Sequence, residues 1–122
     1  MQEGHAALAR RDYATAEADA REVLAAGRTS PRAAEAQMLL AQALAGKRDY
    51  RGAAVAYGDA AERLRGSPRG QDALIGLANS LNALNAHQAA CGALEQLRTS
   101  YKSLRPDIRK AAAAARARAG CR

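Results

Sequence analysis

Few side chains in this 122-residue chain carry reactive or metal-binding chemistry: two histidines, two cysteines and twelve carboxylates. His87 and Cys91 stand four residues apart, which on a helix would place an imidazole and a thiolate on one face, able to share a metal ion. Two ligands do not make a zinc site, and no other His or Cys lies close in sequence, so no metal is expected. Cys91 and Cys121 either pair as a disulfide or stand as one buried and one free terminal thiol. Carboxylates such as Glu17, Asp19, Glu22, Asp59 and Glu62 are scattered along the chain rather than paired in an apolar surround for general acid–base work. No glycine-rich loop of the phosphate-cradling kind occurs. The expectation is therefore a non-enzymatic protein with no catalytic residue and no cofactor.

What organises these residues is a repeat. Asp12-Tyr13-x-x-Ala16 returns 37 residues later as Asp49-Tyr50-x-x-Ala53 and, degraded, as Ala86-His87-x-x-Ala90; Ser30-Pro31-Arg32 returns as Ser67-Pro68-Arg69. A period of this size signals stacked helical hairpins, which work by offering a groove to another chain. Alanine dominates the composition and favours closely approaching helices. Phe and Trp are absent, only four Tyr occur, and β-branched residues are scarce, so an all-α fold is expected.

Punctuation places the helices. Ser30 and Ser67, each followed by proline, read as N-cap serines with a first-turn proline. The segments after them carry Met38, Leu40, Ala41 and Leu44, and Leu74, Leu77, Ala78, Leu81 and Leu84, at three- and four-residue steps. Second helices of each hairpin run from Tyr13 to about Ala26, Tyr50 to about Leu64 and His87 to about Tyr101. A last helix runs from Pro106 to about Ala119, stopped by Gly120. The chain divides into repeats at about 1–30, 31–67 and 68–104 and a capping helix at about 105–120, all in one domain.

The net charge is +7, largely from arginine, and the pI is about 10.1. Basic residues are spread over every helix and mixed with acids, without a basic run interleaved by base-stacking aromatics, so nucleic acid is not the expected partner. No stretch approaches the roughly 20 apolar residues of a membrane span. The first five residues do not read as a leader, and the chain opens abruptly inside its first repeat, as expected of a segment of a longer protein.

Leu40, Ala41, Leu44, Tyr50, Ala53, Tyr57 and Ala60 fall in the large, small, large, aromatic, small, aromatic, small order of the tetratricopeptide repeat. Leu77, Ala78, Leu81, Ala90, Leu94 and Leu97 do the same one repeat later, and the chain resembles that family. The resemblance implies a tetratricopeptide-like solenoid of about three hairpins. Ala53 and Ala90 would sit where the helices of a hairpin pack closest. The family period is usually 34, so the additional residues are expected in turns of the Arg65-Gly66-Ser67 type. The first repeat departs most, since most of its leading helix is missing.

A narrower resemblance rests on the 37-residue spacing, the Asp-Tyr strings, Ala89-Ala90-Cys91, Tyr101 and the ending Arg105-Pro106-Asp107-Ile108-Arg109 through Gly120-Cys121. These look like the C-terminal domain of the Tol-Pal-associated YbgF/CpoB family. Members of that family are periplasmic, trimerise through an N-terminal coiled coil and bind TolA. They coordinate outer-membrane constriction with peptidoglycan synthesis by a class A penicillin-binding protein. The resemblance implies a periplasmic cell-division scaffold with those partners, no membrane insertion, and oligomerisation through a region outside this sequence. This chain alone is then expected to be monomeric.

The cysteines bear on the compartment separately. Cys91 opens the third second helix, and Cys121 ends the last helix, which should return antiparallel to it. About nine residues on one side and about fourteen on the other leave a mismatch of roughly 7 Å at 1.5 Å per residue, which tilt can absorb. A disulfide is the favoured reading. Closing a loop of about 30 residues would add roughly 3 kcal/mol and argue for an oxidising compartment.

In tetratricopeptide repeats the leading helices line the concave face. The ligand-facing positions map to Met38 and Gln42 in the second repeat and to Ile75, Asn79 and Asn82 in the third. Asparagine is unfavourable in mid-helix, so Asn79 and Asn82 either bond the backbone of an extended or helical peptide, with Met38 and Ile75 giving apolar contact, or belong to a solvated polar face. Chaperone-tail-binding relatives hold a terminal carboxylate with lysines at positions occupied here by Met38 and Ile75, so a free carboxylate is not the expected ligand. The alternatives are a general peptide-binding adapter in the cytoplasm and a polyanion-binding helical module.

Overall fold

A computed structural model describes residues 1–122, folded as seven helices without strands. They are α1 (Gln2–Ala9), α2 (Tyr13–Ala26), α3 (Ala33–Gly46), α4 (Tyr50–Arg63), α5 (Arg69–Ala83), α6 (His87–Ser100) and α7 (Pro106–Ala119). Each packs on the next, and the leading helices α1, α3, α5 and α7 also touch one another in a row. Helices α2, α4 and α6 lie on the other side of that row without touching each other. The result is a helical-hairpin solenoid with an inner continuous layer and an outer, spaced one.

The Asp-Tyr strings start the outer helices because their aspartates are N-caps. Asp12 Oδ1 accepts from the Thr15 amide at 3.2 Å and Asp49 Oδ1 from the Gly52 amide at 3.1 Å. In the third repeat Ala86 occupies this position and no side chain caps α6. Asp19 of α2 secures the short α1 by accepting from the Gly4 amide at 3.1 Å.

The turn inside each hairpin is one structure used repeatedly. Arg11, Arg48 and Asn85 each take a left-handed backbone, with φ of 62°, 66° and 59°. Just after them, the amides of Asp12, Asp49 and Ala86 reach back to the carbonyls of Ala7, Leu44 and Leu81 at 2.7, 2.8 and 2.8 Å. These are Schellman closures. Gly120, with φ of 69°, ends α7 the same way as Cys121 N–H bonds the Arg116 carbonyl.

The Ser-Pro strings start their helices mainly through main-chain carbonyls. α3 begins at Ala33 and α5 at Arg69, after tight turns in which the Ser30 and Ser67 carbonyls accept from the Ala33 and Gly70 amides. The main-chain carbonyls thus take the first helical N–H groups. Ser67 Oγ also accepts from the Arg69 amide at the start of α5, at 3.2 Å, whereas no side chain caps α3. The Arg65-Gly66-Ser67 turn contains a left-handed Gly66, φ 83°.

The core is built from alanine seams filled by leucine. Ala16, Ala41, Ala53, Ala78 and Ala90 are fully buried at helix contacts, and Leu39 and Leu97 are among the largest of the most deeply buried side chains. Helix α7 packs on α5 and α6 through Ile108 and Ala115. Its entry is fixed by Arg105, which donates to Asp72 Oδ1 at 2.6 Å, and by the Gln71 amide. That amide donates to the Ser103 carbonyl and accepts from Arg105 N–H, both at 3.3 Å. A disulfide joins Cys91 to Cys121 with a Cα separation of 5.6 Å. No helix is long and apolar enough to cross a membrane.

Candidate functional site

A cleft of about 380 Å³ opens where α4 and α5 meet the end of α3 and the last turn of α7, lined by Ala45, Tyr50, Tyr57, Gly76, Asn79, Ser80, Ala83 and Arg118. Repeat packing explains its walls. Tyr57 is a repeat aromatic of α4 pressed against α5 at Gly76, where any Cβ would overlap its ring. Burial raises the Tyr57 phenol pKa above its ordinary value, so the ring is a neutral wall. Asn79 is exposed on α5, and Arg118 of α7 reaches it, donating to Asn79 Oδ1 at 3.4 Å. No carboxylate lines the cleft. An aromatic wall, an amide and a guanidinium without an acidic neighbour suit a peptide carrying a carbonyl or carboxylate near Arg118.

Of the residues expected in a groove, Asn79 is in this cleft. Gln42 is half-buried on α3 and does not line it. Met38 and Ile75 are corrections: at 2% and 9% exposure they belong to the core. The leading helices touch their neighbours in the row, so α3 is flanked by α1 and α5, and α5 by α3 and α7. Asn82 is a second correction, at 8% exposure. Its Nδ2 donates to the Ala115 carbonyl at 3.1 Å and its Oδ1 faces His87 Nδ1 at 2.9 Å, so it joins helices instead of facing a ligand.

Tyr50, Tyr57, Ser80 and Arg118 escaped the sequence reading. The repeat pattern accounts for both tyrosines as its aromatic positions, although mid-helix Gly76 signals a close approach to something bulky. Nothing in a local pattern announces Arg118, because only the docking of α7 brings it to Asn79. His87 is occupied by Asn82, and Cys91 sulfur is in the disulfide, so that pair does not present two free metal ligands.

The largest surface depression, about 640 Å³, lies elsewhere, around Arg98, Tyr101, Lys102, Ser103 and Arg109 at the α6–α7 turn. It is a basic hollow of mostly exposed side chains, and the α4–α5 cleft is the better-formed site because a buried aromatic and a packed glycine define its wall.

Comparison with protein-family models, curated proteins and solved structures gave no match.

Proposed function

We propose that this chain is a non-enzymatic protein–protein interaction scaffold that holds a peptide segment of a partner in the α4–α5 cleft. The observation carrying this reading is the meeting of Asn79 and Arg118 beside the Tyr57 wall, with no acid in the lining. Arg118 supplies, from the capping helix, the cation that Met38 and Ile75 do not, so an acidic side chain or a free carboxylate fits the cleft. The solenoid architecture supports a binding role, since such stacks offer extended surfaces to other chains.

The finer reading is a periplasmic scaffold of the Tol-Pal system in cell division, with TolA as partner and a class A penicillin-binding protein as a second. Two features support it: the resemblance carried by the Asp-Tyr strings and the chain's ending, and a disulfide, which persists in oxidising compartments. Calorimetric titration with the purified periplasmic part of TolA, at near-physiological salt and with the cysteines oxidised, tests it. Saturable binding weakened by Asn79→Ala and by Arg118→Ala is expected. Absence of binding removes the Tol-Pal reading, and binding that ignores both substitutions removes the cleft.

The basic hollow at the α6–α7 turn favours a second reading, a polyanion-binding module. Its mark is steeply salt-dependent binding to nonspecific DNA.

A further inference from the structure

A second cleft, of about 310 Å³, lies on the opposite layer between α2 and α4, which do not touch, with α3 as its floor. Gln37, Leu40 and Leu44 form that floor, Arg21 and Arg28 one wall, and Gly52, Val55, Ala56 and Asp59 the other. Gln37 is 2% exposed, yet its Oε1 is a buried acceptor without a hydrogen-bond partner. Burying an unpaired amide is unfavourable, and buried polar groups are as a rule satisfied. Gln71, the other buried glutamine, is bonded at both ends of its amide.

The repeat shows that packing does not demand this glutamine. One period on, its place is taken by Leu74, an ordinary core residue at 3% exposure. Val55, 67% exposed and the most exposed large apolar side chain, stands where the next repeat has Gly92. Two departures from the repeat, one polar and buried, one apolar and exposed, therefore line the same cleft.

We propose that this cleft binds an extended peptide segment of a partner protein through one backbone peptide unit and one short aliphatic side chain. The peptide C=O accepts from Gln37 Nε2, the amide end that keeps access to the cleft, and the adjoining N–H serves Oε1 once the amide rotates toward it. The aliphatic side chain covers Val55 above Leu40 and Leu44. An unbranched hydrocarbon brings no partner for either end of the Gln37 amide. Arg28, whose side chain makes no ion pair, and Asp59 sit on facing walls and suit the carbonyl and amide of the flanking residues.

Titration of the isotope-labelled, oxidised chain with the blocked dipeptide N-acetyl-leucyl-valine methylamide, followed by NMR, tests the proposal. Saturable shifts of the Gln37 side-chain amide and the Val55 methyls are expected. Gln37→Leu and Val55→Asp should each weaken binding at least tenfold, while Asn79→Ala and Arg118→Ala leave it unchanged. Gln37→Leu should keep or raise the thermal midpoint, because it restores the residue of the next repeat, and exposed Val55→Asp should leave the fold intact. Absence of saturable shifts at these groups, or equal affinity in both cleft variants, overturns the proposal. So does an ordered water that bonds Gln37 and is not displaced by the dipeptide.

Discussion

Asn82 on α5 donates to the carbonyl of Ala115 on α7, 33 residues away, and the same side chain meets His87 at the start of α6. One buried amide thus ties three helices together where the capping helix docks. Removing it leaves buried polar atoms unpaired, so Asn82→Ala should cost about 1–3 kcal/mol of unfolding free energy. Exposed Asn79→Ala should change stability by less than about 0.5 kcal/mol. Urea denaturation of the two variants checks this, and similar midpoints for both would contradict the assignment of Asn82 to the docking contact.

The Cys91–Cys121 bridge closes a loop across a sequence separation of 30. By loop-closure entropy its removal should lower stability by about 3 kcal/mol. Because Arg118 rides on α7, reduction should also weaken any ligand that depends on the α4–α5 cleft. Paired denaturation and binding measurements with and without reductant would reveal both effects, and the Cys91→Ser/Cys121→Ser chain should match the reduced protein.

Gly46 and Gly76 are required by neighbouring rings, whereas Gly58 and Gly92 are not. A Cβ at Gly46 would overlap the Tyr13 ring, and one at Gly76 the Tyr57 ring, whereas Gly58 and Gly92 have nothing within 4 Å. Gly46→Ala and Gly76→Ala should therefore destabilise by about 1–3 kcal/mol. Gly58→Ala and Gly92→Ala, both inside helices, should stabilise by about 0.5–1 kcal/mol. Thermal melts of the four variants decide, and a uniform response would show that ring contact does not set the outcome.

Glu17 on α2 accepts from Lys47 at the end of α3, 2.7 Å away, and from Arg21 at 2.9 Å. Lys47 first and Arg21 second hold its carboxyl below the ordinary 4.5. A lowered folded-state value means the unfolded chain takes up the proton first as pH falls. The contribution is then complete above 4.5 and is lost as pH drops through the lowered value. Lys47 is 45% exposed, so solvent screens the pair and its worth is about 0.2–1 kcal/mol. Glu17→Gln should lose that amount at neutral pH and flatten the acid limb of the stability profile.

Helix limits were legible wherever a residue type does the starting or stopping. The Asp-Tyr strings placed α2 and α4, and Pro106 with Gly120 placed α7 at both ends. The hairpin turns were not legible, because Arg11 and Arg48 adopt a backbone that arginine does not advertise, and the closing bonds run between main-chain groups. Ser30 misled for a related reason: its carbonyl, not its hydroxyl, meets the first helical amide, whereas Ser67 uses both groups. For the site, mid-helix asparagine was a sound signal of an unusual role but not of which role. Asn79 faces a cleft and Asn82 a neighbouring helix, and only the docking of α7 distinguishes them. Gln37 passed unnoticed because a single polar residue in an apolar helix does not show whether its amide is paired.

The bridge between α6 and α7 also gives the stack a direction. In an array whose units lean on their neighbours, opening begins at the less secured end. Here the eight-residue α1 is tied down by one aspartate, while the far end is covalently sealed. Within these seven helices, opening should therefore start at α1 and loosen the cleft between α2 and α4 before the cleft beside Arg118. Amide exchange should accordingly be fastest in α1 and α2 and slowest where α6 and α7 are joined.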